Sequence, residues 1–302
     1  MEKQVLRSNV LLMITAAIWG FAFVAQRVGA QYVGAFTFSG VRFALGSISL
    51  IPLLIYSKRK RAAIPTGEIP MESALIPGII AGFILFFGAS LQQIGLIYTT
   101  AGKAAFITGL YIVLVPLFGI FLKHSIQLNT WFGVVLAVVG LYFLSVNEDF
   151  SIAKGDLFEL AGAFFWASHI LVIDQFVKKV DPYKFSFIQF ATCSVLSLAA
   201  AIFFEDISMD GLSKAIIPIL YGGIFSAGVA YTLQAVGQRH AKPSHAAIIL
   251  SMESVFAALG GALLLNENLG LRGYLGCALM FAGMILTQVN FFGNQKEEDI
   301  KL

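Results

Sequence analysis

"AAIWGFAFVAQR", Ala16 to Arg27, is apolar almost throughout, yet it holds a Trp-Gly pair and closes on Gln-Arg. A second stretch, "GAFFWASHILVID" from Gly162 to Asp174, sets a Trp in a similar run. Trp19 and Trp166 lie 147 residues apart in a chain of 302. An apolar helix that returns half a chain later suggests two halves of one kind.

The composition says what surrounds them. The chain is 58% hydrophobic and 12% charged, with a mean hydropathy of +0.83. A soluble domain is about 45–50% apolar, glycine included, and about 25% charged. Here 29 glycines come on top of the 58%, so lipid must be the solvent. The net charge of +3 gives no nucleic-acid signal, because the basic residues fall between apolar runs. Cys193 and Cys277 both lie inside such runs and make no disulfide framework. Zinc spacings, phosphate loops, HExxH and G-x-S-x-G are absent, so neither metal, cofactor nor catalysis is expected. Lys3 and Arg7 precede the first run as they would in a signal peptide, but the many similar runs that follow make it a retained span.

A spanning helix needs about 20 mostly apolar residues. Ten runs qualify, at 10–30, 36–56, 74–97, 104–122, 130–146, 156–176, 184–204, 216–237, 246–265 and 271–291. Short turns such as "KPSH" (242–245) and "NENLG" (266–270) join several of them, and the longest loop, 57–73, carries "KRKR". Cytoplasmic loops are enriched in Lys and Arg. With the N-terminus inside, 14 of the 20 basic residues fall on inner segments and 5 on outer ones. The expectation is an all-α integral membrane protein, multi-pass in the cytoplasmic membrane, with ten transmembrane helices and both termini cytoplasmic.

The repeat runs past the tryptophans. Phe43 matches Phe190 at the same offset, Pro77 and Gln93 match Pro218 and Gln234 at 141, and Gly133 and Gly140 match Gly276 and Gly283 at 143. Five spans per half is odd, so the second half is expected upside down relative to the first. Inverted repeats place a substrate site near the midplane, where the halves meet. The halves are read as 7–146 and 155–291.

Several segments resemble the EamA type of the drug/metabolite transporter superfamily. They are "AAIWGFAFV" in the first span, "GVRFALG" in the second, "ITGLYIVLVPLFG" in the fourth and "LSMESVFAALGGALLLNENLGLRGYLGCALMFAGMIL" across the last two. The resemblance covers nearly the whole chain as two copies of a five-helix domain. It implies a ten-helix carrier of small organic solutes, commonly an exporter of amino acids or other metabolites. The chain departs from the pattern twice. "LKHSIQL" stands where the second half has "LNENLGL" with the family's Glu, here Glu267, and "MESVFA" stands where many relatives have Glu-Pro.

Charges inside hydrocarbon are costly and face the interior or a wet cavity. Arg42 in the second span either holds an anionic group such as a substrate carboxylate or links to Glu253 or to helix-end carbonyls. Glu253 in the ninth span and His169 in the sixth are each either a proton carrier or a hydrogen-bonded structural residue. Asp174 reads as the ion-pair partner of Lys178. Trp19, Phe23 and Gln26 share a helical face that could line a pathway, with Trp166 and His169 as its counterpart. Gln93, Gln189, Tyr111 and Ser251 complete the candidate substrate-binding set. Arg27 is expected to reach the outer surface, Gly20 to let a helix approach, "GIIAG" (78–82) to pack a helix, and Pro116 to kink the fourth span.

The function expected is secondary transport of a small organic metabolite, an amino acid or related compound, outward by alternating access. The cavity is expected to be walled by every helix except the fifth and tenth, through which a homodimer could form. A membrane sensor or structural subunit without transport is the rival, and a membrane-embedded enzyme a more distant one. The partners are a small-molecule substrate and the lipid bilayer.

Overall fold

Where no water reaches the backbone, each N–H and C=O must be satisfied within its own segment, and a helix does this. The computed structural model describes residues 2–62, 72–122, 128–145, 154–266 and 270–288, and among them it has helices and no strand. The first part of the chain forms α1 (Glu2–Gly29), α2 (Ala35–Ala62), α3 (Glu72–Tyr98), α4 (Ala101–Gly109), α5 (Tyr111–Phe121) and α6 (Leu128–Ser145). There follow α7 (Lys154–Val177), α8 (Pro182–Phe204), α9 (Met209–Lys214) and α10 (Ile216–Leu220). A π-helical stretch, Tyr221–Tyr231, then leads into α11 (Thr232–Gln238), α12 (Pro243–Leu250), α13 (Glu253–Leu264) and α14 (Gly270–Gln288).

Among the described residues, eight helices are long and apolar enough to cross a membrane. They are Lys3–Gly29, Ala35–Tyr56, Ser73–Tyr98, Ala101–Phe121, Lys154–Val177, Pro182–Phe204, Ile216–Gln238 and Pro243–Leu264. The fifth and tenth of the ten apolar runs correspond to α6 and α14, which are helical but not among the eight. Glu267 and the central residues of "LKHSIQL" lie outside the described residues, as do the side chains of "KRKR".

Polarity is arranged for a lipid solvent. Ile202, Phe203 and Phe204 are 72%, 81% and 76% exposed. Gln26, Arg42, Gln92, Gln93, Glu159, His169, Gln189, Gln234 and Glu253 are buried. Apolar side chains thus face outward and amides and charges inward, as a multi-pass membrane protein requires.

Small residues bring the helices together. A Cβ on Gly20 would fall 2.7 Å from the carbonyl oxygen of Glu253, so α1 and α13 touch backbone to backbone. The "GIIAG" pair packs α3 on α8, with Gly78 against Ile188 and Gly82 against Gln189 and Thr192. The repeat glycines pack α6 and α14 on each other. A Cβ on Gly140 would lie 2.7 Å from Gly276 O, and one on Gly283 would lie 2.7 Å from Gly133 O. Asp174 and Lys178 form the expected pair at 3.0 Å.

Arg27, partly exposed at the end of α1, donates from its guanidinium to the Leu96 and Ile97 carbonyls at the end of α3. Those carbonyls have no helical donors left, so a cation there caps the helix as well as water would. In the fourth span Pro116 lies inside α5, and a further interruption comes six residues earlier, at Leu110. There the Leu110 N–H donates to Ile107 O at 3.1 Å and Val113 N–H to Leu110 O at 3.0 Å, a tightened turn. The ninth span has the same interruption at Ser251 and Met252, where Met252 N–H donates to Ile249 O at 3.2 Å.

Candidate functional site

The inward polar residues converge on one cavity with about 440 Å³ of space unfilled by protein atoms, part of it open to the outside. Its wall draws on both parts of the chain. Trp19, Ala22, Phe23 and Gln26 come from α1, Arg42 from α2, Gln92 from α3, and Thr108 and Tyr111 from either side of the Leu110 interruption. Trp166, His169 and Ile170 come from α7, Ser226 and Tyr231 from the π-helical stretch, Gln234 from α11, and Glu253 from the start of α13. Eight residues between 19 and 111 thus face seven between 166 and 253.

The wall is built around Tyr231. Its ring lies 4.5 Å from that of Trp19 at 58°, 6.2 Å from that of Trp166 at 30°, and 5.9 Å from those of His169, Phe43 and Phe190. Tilted and edge contacts of this kind suit aromatic quadrupoles. The Trp19 indole donates to Ser226 O at 3.3 Å, which ties α1 to the π-helical stretch.

Arg42 sits against this cluster. It is 3% exposed, and its guanidinium lies 4.7 Å from the ring centre of Phe43 and 5.6 Å from that of Phe38. Cations over aromatic faces gain about 0.5–2 kcal/mol, more when dry. No carboxylate pairs with Arg42 among the described residues, and its Nε has no hydrogen-bond partner. The link to Glu253 therefore does not form. Glu253 instead accepts from the Tyr111 hydroxyl at 2.9 Å, across the two helix interruptions. The Trp166 Nε1 and Gln234 Oε1 also lack partners. The cavity thus offers a cation, an indole donor and an amide, all unspent, beside an aromatic surface.

Of the residues singled out in the sequence, Trp19, Phe23, Gln26, Arg42, Tyr111, Trp166, His169 and Glu253 reach the wall, and Gln93, Gln189 and Ser251 do not. Gln93 donates from its amide to the Gln26 carbonyl at 3.1 Å, between α1 and α3. Gln92, its neighbour, takes the wall position and donates to the Gln26 side chain at 3.1 Å. Gln189 stands behind His169 and bonds its Nε2 at 2.9 Å, so α8 supports the wall without reaching it. Ser251 donates back to Ile248 O at 2.8 Å, within the interrupted turn. Tyr231, Thr108, Ser226 and Ile170 escaped the sequence reading. Tyr231 lies inside the eighth apolar run, away from either end, and an aromatic placed there was a signal available for it.

Comparison with known proteins gives the same outline. The model of the EamA-like transporter family matches residues 6–146 and again residues 153–289. An uncharacterized transporter of Archaeoglobus fulgidus is 31% identical over 279 residues, covering 92% of this chain and 84% of that one. The uncharacterized transporter YoaV of Bacillus subtilis is 24% identical over 284 residues, covering 91% and 94%. A protein solved by crystallography superposes with a TM-score of 0.76 at 16% identity, over 93% of this chain and 96% of its own, a likeness of fold.

Proposed function

The chain belongs to the EamA-like transporter family, and from that premise we propose that it is a secondary carrier exporting a small organic anion or zwitterion, such as an amino acid or related metabolite, by alternating access. One observation carries the reading: the buried, unpaired guanidinium of Arg42 opens onto a cavity lined by aromatic rings from both parts of the chain. A buried cation without a counterion is expensive, and an anionic ligand with an apolar body would supply both missing partners.

A pairwise exchange of helix contacts between the two parts of the chain supports the mechanism. The helix contacts fall into pairs that exchange the two parts of the chain: α3 with α7 mirrors α1 with the π-helical stretch and α11, and α3 with α8 mirrors α2 with that stretch. α2 with α8 and α6 with α14 are each their own counterpart. The interruptions at Leu110 and at Ser251–Met252 occupy corresponding spans, and such broken helices mark the binding region of inverted-repeat carriers. On this reading ten helices cross the cytoplasmic membrane as halves 7–146 and 155–291, with both termini inside, and rocking between the halves moves the cavity from one face to the other. A homodimer through α6 and α14 would use their outward faces, since their glycine faces are spent on each other.

The test is flux. Purified protein in vesicles should exchange a radiolabelled mixture of the protein amino acids faster than protein-free vesicles, and one compound should carry the signal when the mixture is divided. Exchange no faster than in empty vesicles, for amino acids and for other small organic acids, would reject the reading. A sensor or structural subunit would give that result and would tolerate loss of Trp19, Arg42 and Glu253 together.

A further inference from the structure

One buried acid stands apart from both the cavity wall and the ion pairs. Glu159 lies in α7, 0% exposed. Its Oε2 accepts from the Thr108 hydroxyl at 3.1 Å, and its Oε1 has no hydrogen-bond partner. The side chain presses on the backbone of α3 at Gly95, where a Cβ would stand 2.9 Å from the carboxyl carbon. Any larger residue at 95 would displace it.

The charged and titratable groups around Glu159 are engaged elsewhere. Within α7, Asp156 pairs with Lys103 of α4 at 2.8 Å, and Lys154 lies 5.3 Å over the ring of Tyr98 in α3. From α5 and α13, Tyr111 and Glu253 bond each other. No cation lies within 4 Å of Glu159 among the described residues. An ionised carboxylate in so dry a place, with one neutral donor, costs several kcal/mol. The neutral acid avoids that cost, so the site is suited to holding and releasing a proton.

Its link to the cavity is specific. Thr108, whose hydroxyl holds Glu159, lines the cavity. Tyr111, three residues on, lines it too and holds Glu253. The Leu110 interruption lies between them. A shift of α4 against α5 at that joint would therefore change the partners of both acids at the moment the cavity rearranges.

We propose that Glu159, reached through Thr108, carries the coupling proton of this carrier. The proposal rests on the transport reading. On one side of the membrane water admitted past Thr108 delivers a proton to the carboxylate, and the halves rock with Glu159 neutral. On the other side the proton leaves to water and the carboxylate is restored, so one proton crosses per cycle. His169, held by Gln189, and Glu253, held by a phenol at the wall, then serve structure and substrate.

Two readouts on wild type, Glu159→Gln and Thr108→Val in lipid vesicles test this. The first is infrared titration from neutral to alkaline pH, which needs no substrate. A carboxyl band that changes with pH should be present in wild type, absent in Glu159→Gln and displaced in Thr108→Val. The same band at full strength in Glu159→Gln would overturn the proposal. The second is uptake of the radiolabelled amino-acid mixture, with and without an imposed pH gradient. Gradient-driven accumulation should fall at least tenfold in Glu159→Gln, to the level without a gradient, while exchange at equal pH continues. Undiminished accumulation in Glu159→Gln, or gradient-independent transport in wild type, would also overturn it. Wild-type vesicles that neither accumulate nor exchange any probe would sink the transport reading, and coupling with it, while the infrared result would still say whether Glu159 holds a proton. Thr108→Val keeps the test decisive if Glu159→Gln fails to fold.

Discussion

Arg42 concentrates the residue-scale account. The guanidinium rests on the ring of Phe43, a contact worth about 0.5–2 kcal/mol, but it has no counterion, so the larger gain lies in an anion that it could meet. A charge-assisted hydrogen bond is worth about 1.5–3 kcal/mol, roughly a factor of 10–100 in affinity. Arg42→Ala should therefore lower substrate affinity by at least about tenfold while leaving monodisperse protein on size-exclusion chromatography. Arg42→Lys should not restore it, because an ammonium lacks the paired planar donors. Full transport by either variant would remove Arg42 from the site. Tyr111→Phe frees Glu253 of its phenol, and an interhelical bond of this kind in a membrane averages about 0.6 kcal/mol. Its effect should appear in transport rate rather than in thermal stability. Trp19, Phe23 and Gln26 were legible as one face because a single helix fixes their relative angles. Gln92 and Gln93 were not separable, since neighbours on a helix point about 100° apart and the sequence does not say which way the helix is turned. Glu159 was hidden by its place one turn from the end of a span, where a charge ordinarily reads as interfacial.

The elements meet through glycine. Because a Cβ on Gly20 would fall 2.7 Å from Glu253 O and 2.8 Å from Ala257 N, Gly20→Val forces α1 away from α13 and with it both sides of the cavity. It should lower the yield of folded protein severalfold, measured by fluorescence-detected gel filtration. Wild-type yield and flux would show that the contact is slack. Gly140→Leu and Gly283→Leu should separate α6 from α14 with less harm to binding, since neither helix reaches the cavity wall. The apolar runs were legible to within a few residues because hydropathy marks them directly. The interruption at Leu110 was not, because Pro116 drew attention to itself and no residue type announces the tightened turn. The π-helical stretch that presents Ser226 and Tyr231 leaves no mark in composition either.

For the whole molecule, the proposed topology of five spans per half makes a prediction about which face each loop occupies. Ser208, between α8 and α9, and His240, between α11 and α12, are both exposed and should lie on opposite faces of the membrane. With the native cysteines replaced, Ser208→Cys should react with a membrane-impermeant maleimide from outside intact cells, and His240→Cys only after the cells are opened. Labelling of both from the same side would break the inverted-repeat topology. The matched Trp, Pro, Gln and Gly positions could be read from the sequence, whereas the meeting of Trp19 and Trp166 on Tyr231 arises only when the chain packs.

The most direct test of a shared site between the halves is thermal unfolding of the purified protein against a panel of amino acids, organic acids, sugars, nucleosides and organic cations. A ligand that binds only the folded form raises its stability by mass action, about 2.7 kcal/mol at a hundred times its dissociation constant. The account expects stabilisation by compounds that join a carboxylate to an apolar body, and its loss in both Arg42→Ala from α2 and Tyr231→Ala from the π-helical stretch. Stabilisation by uncharged sugars or by cations alone, or stabilisation that survives both substitutions, would contradict it.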